Sequence, residues 1–276
     1  MYNRGEMTVL GEYLDSLVGR SDKTVKLHKK VLFQYYDFIG ADEKQFDVNS
    51  AQRFLKGCSK RGMENVSVAT YTSVIRSFLH FLAIPDKELN KIRAPRVGFK
   101  IMPAIDEENW EKFLRQPETL RDMTIAYTLL YGACRVGELR RIKVKDVDTK
   151  SNMIIIKGMR DAKVRGPIQI NQDTADVIQE YVKIYELKKD DHLIPLSERR
   201  IEQLVKKWAK DAKIPHADEI TPHSLRRSLG KAFYKKTGKD IEKTRIMLGH
   251  QSISSTQHYL SIEEEEVRDD YKKYFD

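Results

Sequence analysis

Residues 221–259 read TPHSLRRSLGKAFYKKTGKDIEKTRIMLGHQSISSTQHY, a stretch in which His223, Arg226, His250 and Tyr259 are suited to converge on one phosphate. His223 and Arg226 stand three residues apart, so on a helix they share a face. His250 closes an L-G-H turn, and Tyr259 follows nine residues later. Gly249 and the small polar run 251–255 mark a turn or a helix start, not a helix interior. A tyrosine hydroxyl is a weak nucleophile at neutral pH and needs neighbours that take its proton and stabilise the charge that develops. Singly, each piece has an ordinary reading: a surface helix pair, a glycine-capped helix end, a half-buried core tyrosine. A metal site is not expected, because no third and fourth ligand stand at zinc-like spacing. Joint occurrence in order favours a catalytic set.

A further element lies upstream at 131–148, YGACRVGELRRIKVKDVD. An apolar helix ends at Gly132, and Arg135 precedes Glu138 and Leu139 in a new helical stretch. Glu138, three residues on, is placed to hold the Arg135 guanidinium, and a fixed planar arginine is what bidentate phosphate recognition requires.

The ordered set G-x-x-R-x-x-E-L, H-x-L-R, L-G-H and a tyrosine nine residues on resembles the tyrosine recombinase (integrase) family. The resemblance covers nearly the whole chain, since the N-terminal third looks like that family's core-binding domain. The compact length is similar to Xer-type recombinases, the short archaeal ones above all. The resemblance implies a mainly α fold with a small β-hairpin or sheet, arranged as a C-shaped clamp of two domains. It also implies Tyr259 as nucleophile, Arg135 and Arg226 as phosphate clamps, His223 as proton acceptor and His250 as phosphate ligand. One departure is Arg227, which stands where many members carry a second histidine; it is expected to point elsewhere and act structurally.

The bulk properties agree. At 276 residues the chain is long enough for two modest cores, and its formal net charge of +9 points toward a polyanion. Cys58 and Cys134 are isolated, which fits a reducing compartment. No signal-peptide pattern or membrane-length apolar run is evident, so a cytoplasmic protein is expected.

In chain order, residues 1–84 read as a helical core-binding domain. Helices are expected at 7–18, from Ser21 or Asp22 to 39, from Asn49 or Ser50 to 61, and from Ser67 to about 82. Lys26, Lys29 and Lys30 cluster on the second helix, Arg53, Lys56 and Lys60 on the third, and Arg76 adds to them. A lysine-rich helix face is often only solvated, but the resemblance makes these DNA contacts, mostly to phosphates. Residues 85–103, rich in proline and cations, read as a basic linker.

The catalytic domain is expected over 104–276. Asp106 caps its first helix, another spans about 120–130, and the β-branched run 153–157 is a strand. It turns through 158–162 and returns over 164–170, with Lys163 at the turn. In the family, a lysine on such a hairpin protonates the leaving oxygen. Lys163 is favoured for that role, with Lys157, Arg160 and Arg165 as rivals because A-K-V-R-G-P-I is one residue shorter than the family's pattern. Further helices are expected over 173–187 and from Ser197 or Glu198 to 212. The latter carries Arg199, Arg200 and Lys206 as major-groove contacts. After Tyr259, the spacing of Val267, Tyr271, Tyr274 and Phe275 behind Glu263–Glu266 suggests a helix that a neighbouring subunit accepts, or that packs back on its own domain.

The expected activity is therefore site-specific recombination of double-stranded DNA through a 3′-phosphotyrosyl bond, without metal, ATP or other cofactor. The expected assembly is a tetramer on two DNA sites, with a second recombinase or a translocase as a possible partner. Xer-like chromosome dimer resolution and integration or excision of a mobile element both remain open. A type IB topoisomerase would relax DNA without exchanging partners, and a non-catalytic DNA-binding relative would have no use for Tyr259.

Overall fold

The computed structural model describes residues 8–98, 103–156, 166–250, 252–253 and 256–257. It is mainly helical with one three-stranded sheet. The chain divides between residues 100 and 101 into two compact units.

The first unit is built on α1 (Thr8–Ser16), α2 (Asp22–Phe38), α3 (Val48–Lys60) and α4 (Asn65–Phe81), with a short fifth helix after them among the described residues. Ser21 caps α2 by accepting the Thr24 N–H, as its position before an apolar-periodic run requires. α3 starts earlier than Asn49 because Asp47 takes the cap, and Ser50 completes a reciprocal capping box with it. Ser50 is fully buried and also bonds the Tyr35 hydroxyl at 2.5 Å. α4 likewise begins two residues before Ser67, with no side-chain cap. The core between these helices is aromatic: Phe78 packs edge-on against Tyr13 and Phe46, and Tyr35 lies against Phe46 and Phe54.

Residues 85–103 depart from the expected linker in their first part. A short helix, α5 (Asp86–Leu89), packs on α4, and Leu89 and Ile92 are buried in the first core. Three polar bonds strap the segment down: Arg76 Nη2 to Asn90 Oδ1, Gln52 Nε2 to the Lys91 carbonyl, and Asn65 Nδ2 to the Arg96 carbonyl. Two apolar residues among charges are too few to make a periodic signal, which is why the sequence reads there as open chain.

The second unit contains α6 (Trp110–Leu114), α7 (Leu120–Tyr131), α8 (Val136–Leu139), α9 (Gln172–Ile184), α10 (Glu198–Asp211), α11 (Pro222–Lys236) and α12 (Ile241–Leu248). Asp106 precedes a 3₁₀ turn but makes no side-chain cap bond. The sheet is β1 (Val147–Asp148), β2 (Met153–Ile156) and β3 (Gly166–Gln169), antiparallel in that order, with Ile154 opposite Ile168. The two-residue β1 is the strand that the sequence left unannounced. One contiguous core joins Phe113, Ile125, Leu129, Ile154, Ile178, Val205, Trp208 and Leu225. Among the described residues no helix is long and apolar enough to cross a membrane.

Candidate active site

α7 ends at Gly132, where a side chain is impossible: a Cβ there would sit 2.6 Å from the Thr128 carbonyl oxygen. The chain then turns through Ala133, whose φ of 44° lies in the left-handed region, a conformation that costs a non-glycine residue and persists only where its surroundings hold it. Both features aim the next residues inward. Cys134 is fully buried, and Arg135 opens α8 as its N-cap residue. Glu138, in the first turn of α8, reaches back to that start. Its Oε2 accepts the Arg135 backbone N–H at 2.7 Å, and its Oε1 accepts Arg135 Nη1 at 2.7 Å. One carboxylate thus caps the helix and fixes the guanidinium. The spacing of three read from sequence is this contact.

α11 begins where Thr221 accepts the Ser224 N–H, with Pro222 in the first turn. That start sets His223 in the first turn and Arg226 about one turn later. Arg226 is wholly buried, and its guanidinium donates to the carbonyls of Ala133 and Leu248. Its Nη1 also lies 3.9 Å from Glu138 Oε2. A single side chain therefore ties together the turn after α7, the end of α12 and the carboxylate that holds Arg135. Ala133 and Leu248 form a small apolar cluster at the same place.

His223 is pushed below the ordinary imidazole range, first by burial and then by the positive charges of Arg226, Arg227 and Arg135, with Glu138 opposing. At neutral pH the ring is uncharged, the form that accepts a proton. Arg227 is also buried, and it donates to the Pro103 carbonyl at 3.4 Å. It pins the opening segment of the unit as well as acting on His223 through its charge. The neighbouring Ser228 accepts the Ile105 N–H at 2.7 Å and reinforces that seam.

α12 stops at Gly249, which is left-handed with φ of 63°, and His250 follows. The backbone of His250 is held twice by Arg245: its N–H meets the Arg245 carbonyl, and its carbonyl accepts Arg245 Nη1 at 2.7 Å. Glu242 in turn braces that arginine through two bonds. The imidazole of His250 is buried, with Nδ1 3.0 Å from the Oγ1 of the fully buried Thr256. Thr256 was missed by sequence reasoning; its signal was a lone threonine six residues after His250 and three before Tyr259, directly after the polar run 251–255 read as a turn or a helix start.

Arg135, Glu138, His223, Arg226 and, through the end of α12, His250 are brought together. Tyr259 and Lys163 lie outside the described residues, as do Lys157, Arg160, Arg165 and the C-terminal stretch 258–276. Among the described residues no group of three His, Cys, Asp or Glu side chains is arranged to hold a metal. Lys26, Lys29, Lys30, Arg53, Lys56 and Lys60 are exposed on the first unit, with Lys29 Nζ 5.6 Å over the Phe33 ring, while Arg76 is half-buried in the strap to Asn90. Arg199 and Arg200 are exposed on the first turn of α10, and Lys206 shares Asp218 with Lys210.

The geometry has counterparts in known proteins. The chain is 30% identical over 268 residues to tyrosine recombinase XerA of Thermococcus onnurineus, spanning 93% of this chain and 90% of that one. It is 26% identical over 299 residues to tyrosine recombinase XerD of Staphylococcus haemolyticus, spanning 97% and 98%. Its fold is similar to that of XerH site-specific recombinase bound to palindromic difH substrate, with a TM-score of 0.75 at 17% identity over 97% of this chain and 84% of the other. A lambda integrase dimer bound to a COC' core site gives 0.67 at 15% identity, covering 92% and 94%. The N-terminal SAM-like domain of phage integrases matches residues 10–84, and the phage integrase family itself matches 103–266. With over half of its length in that second match, the chain belongs to the phage integrase family and is a tyrosine-type site-specific recombinase.

Proposed function

We propose that this recombinase cleaves and rejoins double-stranded DNA through Tyr259, and that its role is Xer-like resolution of chromosome dimers inside the cell. The observation that carries the chemistry is the chain of contacts Arg135–Glu138–Arg226 beside an imidazole kept neutral. A phosphodiester gains negative charge on its non-bridging oxygens as a second oxygen attacks. Two guanidiniums fixed before the reaction stabilise that charge without reorganising. Arg135 has one edge on Glu138 and is still partly exposed, so it is able to meet a phosphate. Arg226 is locked by two carbonyls and sets the field from within.

In this scheme the Tyr259 oxygen attacks phosphorus, His223 takes the phenolic proton, and Lys163 gives a proton to the departing 5′ oxygen. His250, aligned by Thr256, hydrogen-bonds the phosphate. The product is a 3′-phosphotyrosyl bond and a free 5′-hydroxyl. Because that bond keeps the energy of the one broken, a 5′-hydroxyl from another duplex reverses the step with neither ATP nor metal, and strands are exchanged. Four copies on two sites would supply the nucleophiles for both duplexes. The exposed cations of the first unit would grip phosphates along the site.

Covalent trapping on genomic DNA of the source organism, in EDTA, tests the reading. Adducts at one or a few positions, lost in Tyr259→Phe, are expected. Their position then distinguishes a chromosomal resolution site from the attachment site of a mobile element. A Tyr259→Phe protein that still formed adducts would remove Tyr259 as nucleophile.

A further inference from the structure

A cleft of about 490 Å³ opens between the end of α8 and the start of α10, lined by Gly137, Arg140, Arg141, His192, Leu196 and Glu198 among others. Its two arginines differ. Arg140 is committed: its Nε donates to the Leu196 carbonyl at 2.8 Å, and its Nη1 lies 3.8 Å from Glu198 Oε1. The half-buried Arg141 guanidinium makes no hydrogen bond or ion pair with a described residue, and its Nε is shut off from solvent.

A guanidinium stays charged at any physiological pH. Shutting part of one off from water without a hydrogen bond is unfavourable, and the carboxylate lining the cleft, Glu198, lies against Arg140 at 3.8 Å, so the open volume beside Arg141 suits an anion. Gly137 keeps that volume open. A Cβ there would stand 3.6 Å from Arg141 Nη1 and 3.3 Å from the Glu198 carboxylate. Gly137 and Arg141 are four residues apart, so they line the cleft from one side of the α8 turn.

We propose that this cleft is a second anion site and that it takes a backbone phosphate of a DNA duplex. The inference rests on the DNA-cleaving role proposed above. The planar fork of Arg141 fits a phosphate or a carboxylate; duplex phosphate is favoured because the exposed Arg199 and Arg200 stand on the adjoining turn of α10 and the chain's net charge is +9, which together suit an extended polyanion. This contact fixes register on the duplex and reads no base.

The test is a titration of the full chain with labelled duplexes of two unrelated sequences across a series of salt concentrations, beside two variants. Arg141→Gln is expected to lower the slope of log affinity against log salt by about 0.9, with an affinity loss of about tenfold at low salt that is equal for both sequences. Pro195→Glu adds a carboxylate at the exposed rim and leaves the packing of Arg141 alone. It is expected to weaken low-salt binding similarly, and it decides the matter if Arg141→Gln fails to fold. Wild-type slope in both variants overturns the proposal. So does an affinity loss in Arg141→Gln that is the same at every salt concentration, since that marks a purely structural role. Absence of duplex binding by the wild type would instead overturn the proposed DNA-cleaving role on which the cleft depends.

Discussion

Among the described residues of the first unit, the buried polar side chains are Ser50 and Thr72; the second unit also buries the ionisable Asp122, Glu138, Asp146, Arg226, Arg227 and His250. The first unit holds its cations outside, over an aromatic core. The second holds charge inside, where each group is fixed by several others. Interior charge is costly unless paired, and it is retained where a reaction needs a field that does not have to form on demand. The contrast separates a unit suited to gripping a polyanion from one suited to reacting with it.

The sharpest way to break this contrast is Arg226→Met. It removes the tie between Ala133 and Leu248 and leaves Glu138 with Arg135 alone. The rate of adduct formation is expected to fall by roughly a thousandfold, and urea unfolding to lose about 3 kcal/mol. A variant that melted like wild type and cleaved at a tenth of its rate would mean the buried charge is incidental. In the first unit the matching change is Phe78→Ala, which opens a cavity between Tyr13 and Phe46. Urea denaturation followed by circular dichroism should show a loss of about 3–5 kcal/mol. Adduct formed at saturating protein, under conditions where the variant remains folded, should keep nearly its wild-type rate.

A smaller effect is expected at Thr256. Thr256→Val removes the partner of His250 Nδ1 while keeping the volume, and should slow adduct formation about tenfold, with Thr256→Ser restoring it. Equal rates for valine and serine would leave Thr256 as packing only. The smallest effect is that of pH. His223 in the folded chain binds its proton less readily than the ordinary imidazole at 6.5, so the unfolded chain holds more protons through that window. Its contribution to stability is complete above 6.5 and is lost as pH falls through the lowered value. The rate should follow the same limb, flat through neutrality and falling only on the acid side. A limb that began above 6.5 would contradict a depressed His223.

Much of this was legible in sequence, and the limits have physical causes. Most helices of both units follow from apolar spacing, and Ser21 and Gly249 mark ends because their side chains, or the lack of one, satisfy particular backbone demands. Arg135 with Glu138 and His223 with Arg226 were visible because helical neighbours meet at short sequence intervals. The bonds from Arg226 to Ala133 and Leu248 were not, since they join positions far apart in sequence through carbonyl groups that every residue carries. Thr256 was hidden for a related reason: its role depends on where the turn after Gly249 places one hydroxyl. Leu89 and Ile92 lacked enough apolar neighbours to announce that they were packed.

The strap from Asp86 to Arg96 also bears on how such chains are cut and spliced. A chimera that borrowed the first unit only as far as Ile84 would abandon Leu89, Ile92 and three polar ties, leaving α4 with a bare apolar flank. A junction placed after residue 98 carries the whole strap along, and the grafted unit arrives with its own lid.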